Sequence, residues 1–228
     1  NVGPDSHTYL NQGRYQLSLG VCDSDSPLHC SSTNWPVHTM VSDTLNRNRV
    51  SSSSTFASPP FALRYLTGDN DNTGGTVGPV TVTFSSQYKN GVVSGNLGFN
   101  LKATDGNSLE LKNSKLNWVV IVTPTSGVPA DAGTLEAHAK GTANITGRTG
   151  TFGFAVSLLD GNPTGGSGLD KIRVRIYDPA IGNEYDPNAI IYDNMCLDPD
   201  GSITGQVSCS PLYAAPTTVL TSGTVTIQ

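Results

Sequence analysis

Between Gly150 and Asp178 the chain carries two runs whose apolar residues recur at every second position. In the first, Phe152, Phe154, Val156 and Leu158 alternate with Gly153, Ala155 and Ser157. In the second, Ile172, Val174 and Ile176 alternate with Lys171, Arg173 and Arg175. A period of two sends successive side chains to opposite faces of a sheet, whereas a helix would scatter these apolar residues around its axis. The stretch between them, Asn162 to Gly168, consists of turn-forming residues. The two runs are therefore neighbouring strands, and whatever this chain folds into must accommodate them as a pair.

The same alternation returns elsewhere. Tyr15, Leu17 and Leu19 alternate with Arg14, Gln16 and Ser18 near the N-terminus. Val80, Val82 and Phe84 alternate with Thr81, Thr83 and Ser85, and Leu97, Phe99 and Leu101 follow in phase after Lys89-Asn90-Gly91, a type I′ hairpin signal. Leu116 to Thr123 is nearly continuously apolar, as in a central strand, with Trp118 as the candidate core aromatic. Leu135, Ala137 and Ala139 oppose Glu136, His138 and Lys140, and Val225 and Ile227 oppose Thr224 and Thr226. Gly98 to Gly106 and Gly153 to Gly161 share the order Gly-Phe-x-Leu/Val followed by Asp-Gly, through duplication of a hairpin or by chance. With 25 Gly, 14 Pro and only 14% charged residues, no segment reads as a helix. About ten strands joined by short turns predict an all-β fold, an antiparallel β-sandwich of jelly-roll or immunoglobulin-like kind.

Residues 1–60 are expected to form an N-terminal arm and 61–228 the sandwich domain. Within the arm, Ser51 to Pro60 is serine-rich and weakly patterned, and by itself reads as a linker. The four cysteines, Cys22, Cys30, Cys196 and Cys209, fall into two local pairs, and neither has the spacing of a zinc site. Local disulfides Cys22–Cys30 and Cys196–Cys209 are the natural reading, although crossed pairing satisfies the sequence as well. Persistent disulfides belong to an oxidising compartment. Together with a start at Asn1 and no apolar run long enough for a bilayer, they predict a mature secreted chain, extracellular or on a cell surface.

The chemistry-bearing residues are few. A net charge of −5 argues against a nucleic-acid partner, and Lys171, Arg173 and Arg175 are expected to form a solvated face. Asp69, Asp71 and Thr73, followed by Gly74, match the first half of a calcium loop, but Val80 stands where a bidentate Glu is needed. A solvated turn is the default there, and also at Asp198-Pro199-Asp200-Gly201-Ser202. Calcium is thus the only cofactor the sequence brings up, and the expectation is none. Asn144-Ile145-Thr146 is an N-glycosylation sequon. The histidines are His7, His29, His38 and His138, without metal-ligand spacing, and no nucleophile elbow, phosphate loop or zinc-protease motif occurs. Glu110 and Glu136 could project from one face of a sheet as glycosidase carboxylates do, but sequence alone does not pair them. No enzymatic activity is expected.

From Gly141 to Asn194 the order is GTANITGRTGTFGFAVSLLDG, a Gly-rich loop, DKIRVRIYD and IYDN. This resembles the post-COAP type of module found at the C-terminal end of many bacterial secreted and cell-surface proteins, with weaker similarity back to Asn117-Trp118-Val119-Val120. The resemblance implies a secreted β-rich domain with no established catalytic residues. The chain departs from that pattern by the insert Pro179 to Ala189 and by the Cys-bounded loop after Asn194.

These readings lead to one expectation and one alternative. The expectation is a structural subunit of an extracellular filament or surface assembly. It would polymerise by a donated β-strand, with Tyr15, Leu17 and Leu19 as the knobs that enter a neighbouring subunit. The alternative is an adhesion module that binds carbohydrate or another surface, with or without calcium, using exposed tyrosines such as Tyr65, Tyr88, Tyr177, Tyr185 and Tyr192.

Overall fold

In a computed structural model of the chain the described residues are 13–22, 30–41, 49–60, 62–63, 78–89, 92–103, 106, 108–122, 134–162, 168–197, 208–209 and 215–228. For 13–22, 30–41, 197 and 208–209 only the backbone is described. The strands are β1 (Gly13–Cys22), β2 (Cys30–Val41), β3 (Arg49–Ala57), β4 (Pro79–Lys89), β5 (Val92–Lys102), β6 (Ser108–Val122) and β7 (Leu135–Ile145). They continue as β8 (Phe152–Asp160), β9 (Lys171–Tyr177), β10 (Ile190–Asp193), β11 (Cys196–Leu197), β12 (Ser208–Cys209), β13 (Thr218–Val219) and β14 (Ser222–Ile227). No helix occurs among the described residues, so none there is long and apolar enough to cross a membrane.

All pairings are antiparallel, and ten strands form one sheet in the order β10-β9-β8-β7-β6-β5-β4-β3-β14, with β13 added beside β9. Sequential neighbours pair throughout from β3 to β10, which is a meander of hairpins. The β4–β5 hairpin ends with Lys89 opposite Val92, and the predicted turn residues Asn90 and Gly91 lie outside the described residues. Two small sheets, β1–β2 and β11–β12, are not paired into the main sheet, although β2 passes near β6.

The fold is all-β and antiparallel as expected, with the main sheet curled into a half barrel; the sandwich itself is not confirmed among the described residues. Strand twist accumulates across the ten strands and rolls the apolar face inward on itself. The roll is visible in one contact. Phe99 of β5 and Tyr192 of β10 are separated by four strands in the sheet, yet their rings meet edge to face with centroids 4.9 Å apart. The core inside the roll comprises Phe56, Val80, Val82, Leu97, Phe99, Leu101, Phe154, Val156, Leu158, Ile172, Val174, Ile176 and Val225, all nearly sealed from solvent. Trp118 is only half-buried, and the core aromatics are Phe56, Phe84, Phe99, Phe152, Phe154 and Tyr192 instead.

The main sheet starts earlier than the expected boundary at residue 60. Serine-rich β3 lies between β4 and β14, with Ser52 opposite both Phe84 and Val225. Val50, Ser52, Ser54 and Phe56 all point inward and are buried. The two serines meet each other, Ser52 Oγ donating to Ser54 Oγ at 3.0 Å, which satisfies polar atoms that would otherwise be stranded in the core.

Candidate functional site

Strands β7, β8 and β9 are buried on both faces. Their inner face is the core. Their outer face is polar: register sets His138 beside Ser157, and Ser157 beside Arg173. Along that line His138 Nδ1 and Ser157 Oγ are 2.8 Å apart, and His138 Nε2 lies 3.1 Å from Glu136 Oε1. A hydroxyl, an imidazole and a carboxylate in contact have the composition of a nucleophile relay. Glu136, His138 and Ser157 are 3%, 0% and 2% exposed, so no reacting group of a substrate has space beside Ser157 in this structure. What the trio provides is a fixed polar bridge across the β7–β8 pair.

The neighbouring cluster is ionic. Arg173 Nε and Nη2 donate to Asp193 at 3.1 and 2.8 Å, and Arg175 Nε donates to Asp193 Oδ2 at 2.6 Å. Met195 N–H adds a fourth bond to the same carboxylate at 2.9 Å. Burial pushes the Asp193 carboxyl up, but the two guanidiniums outweigh it and hold the group below its ordinary value. The expected solvated stripe is thus wrong for both arginines, which are 1% and 3% exposed. The reason is the cover. Asp193 comes from β10, and the insert Pro179 to Ala189 lays Glu184 over the same face. There the Glu184 carbonyl accepts from Arg175 Nη1 at 2.8 Å and its carboxylate holds Lys140 Nζ. For Lys140, burial favours the neutral form, but the contacts with Glu184 and Tyr177 prevail and raise it. The Tyr177 phenol is raised by burial and then by Glu184. The Tyr177 ring lies against Gly153, where an added Cβ would come within 2.0 Å of it.

A second feature is the seam where the half barrel stops short of closing. Terminal strand β14 bonds to β3 along one edge. On its other edge Val225 N–H donates to Asp170 Oδ2 at 2.7 Å and Ile227 N–H donates to Asp160 Oδ2 at 3.1 Å. The remaining oxygens of the two carboxylates accept from Gly161 N–H and Asn162 N–H, both at 3.0 Å. Burial raises Asp160, against its two backbone hydrogen bonds, and nearby Asp170 adds to the rise. Along this seam runs an open groove of about 440 Å³, lined by Asp160, Asp170, Leu169, Val219 and the outer edge of β14. Elsewhere the edges of the sheet are also occupied from within. Asn194 fills the gap on β9 between β10 and β13, accepting from Val174 N–H at 2.6 Å and donating to the Ile172 carbonyl at 2.9 Å. On the outer edge of β10, Asp193 N–H donates to the Ala62 carbonyl at 2.8 Å.

The residues singled out from the sequence fall as follows. Cys22 stands opposite Cys30 in the β1–β2 register and Cys196 opposite Cys209 in β11–β12; Cys196 is disulfide-bonded. Tyr15, Leu17 and Leu19 lie on β1, which pairs with β2 of the same chain rather than standing free, and their side chains lie outside the described residues. Asp69, Asp71 and Thr73 lie outside the described residues, as do Asp198 to Ser202. Among the described residues no cluster of acidic, His or Cys side chains is arranged to hold a metal ion. Asn144 is half-buried on β7, with Nδ2 donating to the Gly150 carbonyl at 3.0 Å. Glu110 and Glu136 lie on neighbouring strands; Glu110 bonds to Thr146 and Lys112 at the surface, whereas Glu136 is buried. The sequence reading missed Asp160, Asp170, Glu184, Asp193 and Asn194. A usable signal for Asp193 was its position just after an apolar strand that follows the Arg-x-Arg run.

No family model, curated protein or solved structure matches this chain.

Proposed function

We propose that this chain is an extracellular structural module that self-associates by strand addition through its N-terminal hairpin. The observation carrying this reading is the contrast between the edges of the two sheets. The main sheet has its edge groups on β9, β10 and β14 engaged by Asn194, Ala62 and two aspartates. The β1–β2 hairpin has strands of 10 and 12 residues and, among the described residues, no third strand paired to it in a sheet, although β2 passes near β6. A long unpartnered edge presents a row of main-chain donors and acceptors to another chain. The hairpin, rather than a solitary donated strand, is then the unit that carries Tyr15, Leu17 and Leu19. A strand from a neighbour is also what would turn the half barrel into the closed two-layer core of a sandwich. The post-COAP resemblance and the paired cysteines support a place outside the cell.

The test compares the full chain with the Leu17→Asp/Leu19→Asp variant and with a chain lacking residues 1–41, by sedimentation velocity and electron microscopy. Polymers or large oligomers from the full chain, and monomers from the other two, support the reading. Monomers from all three overturn it and favour the adhesion module, to be pursued by titration with glycans and calcium. That alternative has little to recommend it at the seam, because none of the residues lining that groove is aromatic.

A further inference from the structure

The seam has the features of a place prepared for one more strand. Val225 and Ile227 are two residues apart, and their outward N–H groups are the donors that a neighbouring antiparallel strand would use. In their place the chain supplies carboxylate oxygens, at 2.7 and 3.1 Å, where the carbonyls of a strand would stand. Bonds to a charged acceptor are strong, so the caps keep the edge satisfied while it is unpartnered. Beside this edge the groove is open, and its rim is apolar and wet: Leu169 is 61% exposed and Val219 39%. The groove lining includes two carboxylates and no cationic residue.

We propose that this groove is the acceptor for β1 of a second copy of the chain; the proposal rests on the strand-addition reading above and names its receiving site. The occupant is argued from complementarity. Segment Gly13–Cys22 contains one charged residue, Arg14, and it is cationic. Its alternate positions Tyr15, Leu17 and Leu19 supply the apolar face that Leu169 and Val219 lack a partner for. On entry the carbonyls of the incoming strand take the Val225 and Ile227 N–H groups, and Arg14 pairs with the carboxylates they release. Asp160 and Asp170 keep their bonds to Asn162 and Gly161 throughout. The capped edge then acts as a guarded acceptor, closed to arbitrary strands and open to one that brings its own cation.

The experiment is complementation between full-length variants. A donor-defective chain carries Leu17→Asp and Leu19→Asp. An acceptor-defective chain carries Leu169→Arg and Val219→Arg, both at exposed positions so that the fold is spared; far-UV circular dichroism and melting confirm that each is folded. Each alone is expected to sediment as a monomer, and an equimolar mixture as a one-to-one dimer. If the acceptor-defective chain assembles by itself as wild type does, the receiving site lies elsewhere; this inference falls while the hairpin reading stands. If both are monomeric but the mixture gives no dimer, the inference falls as well. If the donor-defective chain still assembles, or wild type does not, the strand-addition reading itself fails.

Discussion

Replacing Asp193 by Ala tests whether the second face of the sheet is a buried ionic layer. The side chain is fully buried and accepts three bonds from Arg173 and Arg175 and one from Met195. Truncation leaves two guanidiniums, themselves nearly sealed from solvent, without their carboxylate. Breaking a buried pair from one side costs about 3–5 kcal/mol, far above the ~1 kcal/mol ceiling of exposed pairs. For a chain of this size each kcal/mol moves Tm by roughly 2–4 °C, so Tm at pH 7 should fall by about 6–20 °C. The triple variant Arg173→Met, Arg175→Met, Asp193→Leu removes the charges together and should recover most of that loss. The pH dependence supplies a second readout. The folded Asp193 carboxyl sits below its ordinary value near 3.8, so its contribution is present above that pH and is lost as pH falls through the folded value. Asp160 is shifted the other way, and its contribution is lost as pH rises through its raised value. The difference between wild type and Asp193→Ala isolates the first from the second. Urea melts from pH 3 to pH 7 should show stability falling more steeply on acidification in wild type than in the variant. A loss under about 1 kcal/mol with an unchanged acid slope would refute the buried layer, because a solvated pair behaves that way.

Three further outcomes follow from single contacts. Gly153→Ala would drive a methyl into the Tyr177 ring at 2.0 Å and should cost about 1–3 kcal/mol in urea unfolding, most of it relieved when Tyr177→Ala is added. Burial raises the Tyr192 phenol, with a hydrogen bond to Ser58 opposing; since the folded value lies above the unfolded one near 10, stability should decline as pH rises beyond about 10. Tyr192→Phe should flatten that decline in melts between pH 8 and pH 11, and an unchanged slope would contradict it. Cys196→Ser together with Cys209→Ser opens a loop of about 15 residues and should lower stability by about 3 kcal/mol, as should mild reduction of the wild type selective for this bond.

Sequence periodicity located most of the main-sheet strands because one face of each is apolar and period two states that directly. The β4–β5 pairing, the β8–β9 pair and the final strand were readable on that basis. Strand β3 was not, since its inward positions include Ser52 and Ser54, and what buries them is β4 on one side and a strand some 170 residues later on the other. The same limit hid the ionic layer. Alternation correctly put Arg173 and Arg175 on the face opposite the core, but it carries no information about what covers that face. The cover comes from Asp193 and from Glu184 in the insert, and their spacing to the arginines is a fact of topology. Trp118 shows the converse error, an apolar run read as doubly buried when one of its faces remains half open.

The two layers of the molecule therefore divide the work of specifying it. The apolar interior would tolerate many sheets of similar size, because hydrophobic burial is not directional. Directional groups fix where each edge of this one ends. Asn194 occupies the gap on β9, Asp193 both neutralises the arginines and sends its own N–H to Ala62, and Asp160 and Asp170 hold β14 at the seam. Each of these is a polar side chain or main-chain group standing where a strand would otherwise continue the ladder. Among these described residues, the substitutes at the seam carry charge toward an open groove, where the proposed incoming strand would bring a cation of its own. On the strand-addition proposal the sheet grows at this edge, whose two carboxylates the hairpin's Arg14 complements.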